Sequence, residues 1–159
     1  MAEITACSGN LTGLEIADAL SKRFAEGIKI NSASPKRIFS QVDKEIFLEL
    51  CKFLKNDLLF DHASLVSGVD RIDRIQAVFH ITSYINNCCL IEIVVDLDHE
   101  EPEIDSITPL WEGANYHERE TYDMMGIVFK GHPDMRRIFL PEDTRFYPQR
   151  KDFKLKEVP

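Results

Sequence analysis

Glu118, Arg119, Glu120 and Asp123 stand at helical spacing, with His117 beside them and His132 further along. Residues of these types suit two chemistries. Two carboxylates with a histidine at hand can move protons on a substrate, with Glu118 and Glu120 as the acid–base pair of a hydrolase. A histidine with carboxylates one turn away can hold a divalent cation, here His117, Glu120, Asp123 and His132. The spacing argues against both. Arg119 lies between carboxylates, and a guanidinium at that distance keeps a carboxylate charged and lowers its pKa, the opposite of what a general acid needs. The His-x-x-x-His pair of a helical zinc site is absent. His132 precedes Pro133, which demands extended backbone before it, so its ring is expected to anchor a turn by a hydrogen bond. The chain also lacks a glycine-rich phosphate loop, a G-x-S-x-G elbow and a Cys/His nucleophile pair. No catalytic, cofactor-binding or metal-binding residue is assigned.

What remains is a structural use. Arg119 and Asp123 are four apart on one helical face, as are Tyr116 and Glu120 on another. With Arg136 and Arg137 after the turn, the cluster of Glu118, Arg119, Glu120 and Asp123 forms an ion-pair network. A buried ion pair stabilises little on balance, but an arginine that grips a carboxylate with two donors fixes an orientation. The network is therefore expected to set register, either inside the chain or across an interface.

Several elements must position it. Thr12-x-x-Glu15 is a capping box opening a helix over 13–25 that stops at Gly27. Strands are expected at 28–30 and 37–42, the second being separate or a continuation past a bulge. Asp43 is placed to cap a helix over 44–55. The period then changes, and 64–70, 75–84 and 88–97 are strands, the last two joined in a hairpin at Asn86-Asn87 because Asn tolerates positive φ. Asp98 to Asp105 is expected to be a solvated acidic loop. Pro109 is placed at the first position of a helix running past Trp111 to about Met124 and ending near Gly126. A short extended stretch, 127–129, leads to the Gly131 turn, and Pro141 and Pro148 keep the remainder irregular. The order of elements predicts an α+β fold, a mostly antiparallel sheet with helices packed against it, with a single domain over 1–140 and an extended C-terminal tail over 141–159.

Composition narrows the function classes. At 159 residues with 44% hydrophobic and 29% charged residues, the chain has the balance of a globular domain. No apolar run approaches the ~20 residues that cross a bilayer, and the first residues lack the features of a secretory signal. The four cysteines, Cys7, Cys51, Cys88 and Cys89, fall in three separate segments, unlike the grouped thiolates of iron–sulfur sites, and are expected to be small buried hydrophobes. The net charge of −8 is uneven: from Lys130 onward eight Lys/Arg face five Asp/Glu, and before it eleven face twenty-two. The acidic body excludes nucleic acid and anionic membrane as main partners. The basic end either docks on an acidic neighbour or folds back on its own body.

The stretch from Glu118 to Arg136 resembles the 30 kDa subunit of respiratory complex I and its relatives in membrane-bound hydrogenases and other ion-pumping dehydrogenases. That family's signature has the form E-R-E-x-x-D, two apolar residues, six of any type, H, three of any type, R. It falls here on Glu118, Arg119, Glu120, Asp123, Met124, Met125, His132 and Arg136 without a departure. The flanks agree as well: G-I-x-F-x-G-H-P-D at Gly126 to Asp134, R-R-I at Arg136 to Ile138, and Y-P-x-R-K-D-F at Tyr147 to Phe153. The resemblance implies a subunit without a redox centre, with iron–sulfur clusters and flavin on partner subunits. It implies a peripheral place on the cytoplasmic side of the membrane, clamped to a hydrogenase-like large subunit of the 49 kDa type and a small iron–sulfur subunit. Electrons would pass through those partners to a quinone, or to methanophenazine in an archaeal deazaflavin dehydrogenase. Glu118, Arg119, Glu120, Asp123, His132, Asp134, Arg136, Arg137, Arg150 and Lys151 are then expected to hold the fold and its docking surface.

Overall fold

The computed structural model of the chain describes residues 10–155, so Cys7 lies outside the described residues. Three helices and seven strands follow in the order α1 (Gly13–Arg23), β1 (Ile28–Ser34), β2 (Arg37–Val42), α2 (Lys44–Asn56), β3 (His62–Asp70), β4 (Ile75–Ser83), β5 (Cys89–Leu97), β6 (Glu103–Asp105), α3 (Ala114–Met125) and β7 (Val128–Lys130). Five strands form one sheet in the order β1-β2-β5-β4-β3. Only β2 against β5 is parallel; the other three pairings are antiparallel. The expected α+β class holds, with the sheet mixed. The parallel seam follows from α2, which separates the β1–β2 hairpin from the β3–β4–β5 meander and carries the chain across the sheet.

The side-chain period of two decides which face is covered. In β5, Cys89, Ile91, Ile93, Val95 and Leu97 are buried, while Leu90, Glu92 and Val94 between them stay half-buried. The helices lie on the buried face: Ile16 and Leu20 of α1, and Phe47, Leu50 and Leu54 of α2, join that core, and the Phe47 and Phe79 rings meet at 4.5 Å. The Thr12 capping box forms as expected, Thr12 Oγ1 accepting from the Glu15 amide and the Glu15 carboxylate accepting from the Thr12 amide. The Asn86-Asn87 turn also forms, with Asn87 at φ 53° and Cys88 at φ 56°. Asn86 does more than turn the chain. Its buried amide donates to the carbonyl of Leu58 and accepts from the amides of Asn10 and Leu11, tying the start of α1 and the end of α2 to one end of the sheet.

Three expectations are corrected. The acidic segment is not solvated throughout: Glu103–Asp105 is β6, paired in parallel with β7, and Ile104 between its carboxylates is fully buried. A single apolar residue flanked by charges suffices because the carboxylate of Glu103 faces outward onto Lys44 and Lys130. Cys88 is exposed, because the turn's left-handed backbone carries it away from the sheet; Cys51 and Cys89 are buried as expected. The third helix starts at Ala114, well after Pro109. From Pro141 to Leu155 the chain has neither helix nor strand.

A buried polar cluster around the third helix

The late start of α3 has a specific cause. The carboxylate of Glu118 reaches back and accepts from Ser106 Oγ (2.6 Å), the Ile107 amide (2.7 Å) and Thr108 Oγ1 (3.0 Å). These bonds tie 106–108 to the Glu118 side chain from outside the helix instead of as its first turn. Trp111 is then pinned by its indole N–H on the carbonyl of Phe60 (3.0 Å), and the chain becomes helical only beyond Gly113. At the other end Gly126 takes φ 78° and returns its amide to the carbonyl of Tyr122, the left-handed closure that glycine allows without cost. A Cβ at Gly126 would stand 2.6 Å from the ring of Tyr147, so the C-terminal segment lies directly on this turn.

The expected pairing of Arg119 with Asp123 does not form. Asp123 is fully buried and takes Arg137 instead, Oδ1 accepting from Nη1 at 2.7 Å. Its other oxygen, Oδ2, accepts from three consecutive backbone amides, Ile138 (3.0 Å), Phe139 (2.7 Å) and Leu140 (3.0 Å). Burial alone would raise the pKa of this carboxyl, but the amides and Arg137 outweigh it and hold the pKa below its ordinary value. Arg137 is itself buried and donates to the carbonyls of Asp123 (3.1 Å) and Thr144 (2.9 Å), its guanidinium lying near the rings of Tyr122 and Tyr147.

Arg119 turns to the following turn. Its Nε donates to the carbonyl of Arg136 (3.1 Å), it lies 3.9 Å from the carboxylate of Asp134, and its guanidinium sits 5.8 Å from the Tyr116 ring. Asp134 also accepts from Arg136 Nε at 3.0 Å. The expectation for His132 is met: its Nδ1 accepts from the Asp134 amide at 3.0 Å, and its buried Nε2 lies 3.4 Å from the carbonyl of Asn115 and 4.0 Å from Glu118.

Two residues of the expected network behave otherwise. Glu118 has no arginine partner among the described residues. Burial raises its pKa, and its hydrogen bonds to Ser106, Ile107 and Thr108 oppose that only in part. The lowering expected from a neighbouring arginine is therefore corrected, because the guanidinium of Arg119 points to the 134–137 backbone. Glu120, two residues from the buried Glu118, is exposed and has no hydrogen bond or ion pair among the described residues. The two glutamates thus share no site, and the described residues contain no group of three or more His, Cys, Asp or Glu able to hold a metal.

The C-terminal segment completes the helix end. The last carbonyls of a helix lack partners within it; here Met124 receives the Gln149 amide (3.1 Å) and Met125 receives Arg150 Nε (2.8 Å). Arg150 at that position also suits the negative end of the helix dipole. The Lys151 amide is held by Asp70 at the end of β3 (2.9 Å), while its side chain is exposed. Of the two alternatives for this basic end, the described part folds back on its own body. The partners Ser106, Thr108 and Asp70 were missed from the sequence; the two hydroxyls flanking Ile107, ahead of an acidic helix, are the only hint it carried.

Comparison with known proteins fits this geometry. Residues 40–159 match the family described as respiratory-chain NADH dehydrogenase, 30 Kd subunit. The C-subunit of the F(420)H(2) dehydrogenase from Methanosarcina mazei is 41% identical over 142 residues, covering 87% of this chain and 89% of that protein. The C-subunit of the NADH-quinone oxidoreductase from Roseiflexus sp. is 42% identical over 119 residues, covering 72% and 68%. Among solved structures, the trypsin-resistant fragment (1-134) of Nqo5 superposes with a TM-score of 0.64 at 27% identity, covering 76% of this chain and 98% of that one. With the signature residues gathered around one helix and the family match spanning most of its length, the chain belongs to the 30 kDa subunit family of respiratory-chain NADH dehydrogenases.

Proposed function

We propose that this chain is a cofactor-free structural subunit in the peripheral arm of a complex I-like, ion-pumping membrane oxidoreductase, docking on the hydrogenase-like large subunit and the small iron–sulfur subunit on the cytoplasmic side. One observation carries the proposal: the signature groups Glu118, Arg119 and Asp123 are engaged by backbone of the same chain. In this reading they serve as structural bonds and not as acid–base groups. Arg119 and Asp123 hold the 134–140 segment and Glu118 holds 106–108, while Phe139 and Arg136 on that segment and Tyr116 on α3 stand exposed; aromatic and arginine side chains dominate binding energy at interfaces. Residues 141–159 serve in this reading as the docking tail of a domain spanning 1–140. None of the described helices is long and apolar enough to cross a membrane; in this reading the partners provide the attachment to the membrane.

The M. mazei relative, 89% of whose length is matched, favours a deazaflavin dehydrogenase, with methanophenazine in the place of a quinone. The test is recovery of the tagged chain from detergent-solubilised membranes. Arg119→Ala and Asp123→Ala are expected to lower the amount of assembled complex while the complexes that survive turn over at near the normal rate. If Glu118→Gln abolished turnover in a fully assembled complex, the hydrolase-like reading of Glu118 and Glu120 would return.

A further inference from the structure

The 145–154 segment encloses an open cleft of about 380 Å³. It is lined by the stacked pair Phe146 and Phe153, with ring centroids 5.1 Å apart and planes 24° from parallel. Arg145, Arg150 and Lys154 stand around it, opposed by the single carboxylate of Asp152. Neither Arg145 nor Lys154 has an ion pair among the described residues, and Arg150 spends only its Nε, on the carbonyl of Met125. The cleft is built on fixed points: Tyr147 against Gly126, Gln149 on Met124, Arg150 on Met125 and Lys151 on Asp70. A site held in shape before binding loses little ordering entropy when it is filled.

We propose that this cleft receives an acidic segment of a neighbouring protein subunit, its carboxylates between Arg145, Arg150 and Lys154 and an apolar side chain on the Phe146–Phe153 stack. The inference rests on the docking function proposed above and names the chemistry of one contact. Charge complementarity selects the occupant. Three cations face one carboxylate here, and arginine donors match carboxylates in pairs. A phosphate-rich membrane surface would use the cations but leave the rings exposed, and it would be repelled by the remainder of the chain, which carries eleven Lys/Arg against twenty-two Asp/Glu before Lys130.

The test uses the intact complex in detergent. A zero-length carbodiimide, which joins an amine to a carboxylate in direct contact, is expected to link Lys154 to an Asp or Glu of another subunit. The doubly reversed variant Arg145→Glu with Lys154→Glu alters two exposed side chains. It is expected to melt like the parent while its retention of the partner subunits at moderate salt falls about tenfold. The inference is overturned if Lys154 links only to Asp152 or to nothing, or if the reversed variant keeps its partners at every salt concentration. It is also overturned if the reversal abolishes binding to phosphatidylglycerol vesicles and leaves the subunits in place. Recovery of the parent chain without any large subunit at low salt is a different result and defeats the docking function itself.

Discussion

Replacing Asp123 with Asn tests the central lock most directly. The side chain keeps its size, but its oxygens no longer both accept. Oδ1 meets Arg137 at 2.7 Å and Oδ2 meets three backbone amides at 2.7–3.0 Å. An amide NH₂ placed toward either group faces only donors, and the buried Arg137 loses its counter-charge in both orientations. Breaking one side of a buried pair costs about 3–5 kcal/mol. For a chain of this size each kcal/mol lowers Tm by about 2–4 °C, so a fall of about 6–20 °C is expected. Urea titration followed by the fluorescence of Trp111, the only tryptophan and a buried one, measures the loss directly. The pH dependence supplies a second readout. Because the folded pKa of Asp123 is lowered, its contribution is present above the unfolded value of about 3.9 and is lost as pH falls through the lower folded value. Asp123→Asn should remove that part of the acid sensitivity. A loss under about 1 kcal/mol, or unchanged acid sensitivity below that pH, would refute the account. Asp123→Asn combined with Arg137→Met should cost less than the sum of the two single changes.

Three further outcomes follow from the same structure. Glu118 has a raised folded pKa, so the folded state takes up its proton first and stability falls as pH rises from about 4.3 through that raised value; Glu118→Gln should abolish this fall in a pH series of urea midpoints. Gly126→Ala forces a Cβ into the ring of Tyr147 at φ 78°. It should cost about 1–2 kcal/mol for the left-handed backbone alone, with faster proteolysis after Pro141, and Tyr147→Ala in the same chain should recover part of any loss beyond that. Asn86→Ala strips partners from the carbonyl of Leu58 and the amides of Asn10 and Leu11; a loss of about 1–3 kcal/mol and faster amide exchange at Leu11 are expected.

The elements legible in the sequence were those whose signals are local. The Thr12–Glu15 box, the short Val-, Ile-, Phe- and Leu-rich runs of β4 and β5, and the Asn86-Asn87 turn are each decided by neighbours within a few residues, and each formed where expected. The start of α3 was not legible, because Pro109 is a local signal for a helix and the bonds that override it come from Glu118, ten residues after Thr108 in the chain. The same reason hid the true partner of Asp123. Four-residue spacing pointed to Arg119, and only the fold brings Arg137 and three amides onto that carboxylate. The parallel seam between β2 and β5 was equally invisible, since pairing across α2 leaves no mark on either strand's pattern. Nor does the signature show that Glu118, Arg119, Asp123 and His132 bond to backbone.

The distribution of partners along the chain also bears on how the protein is made. Asp70, Glu118 and Asp123 lie buried at one end of β3 and along α3. Glu118 finds its partners in residues already synthesised and Asp70 has the Ile72 amide early, gaining the Lys151 amide last, whereas Asp123 waits for 137–140. A chain emerging from the ribosome can therefore pair β3, β4 and β5, and set the start of α3, before its later residues appear. Seating the end of α3 before then would bury Asp123 with no counter-charge, a cost of several kcal/mol. The nascent chain is thus expected to keep that flank loose until the segment that closes it has emerged.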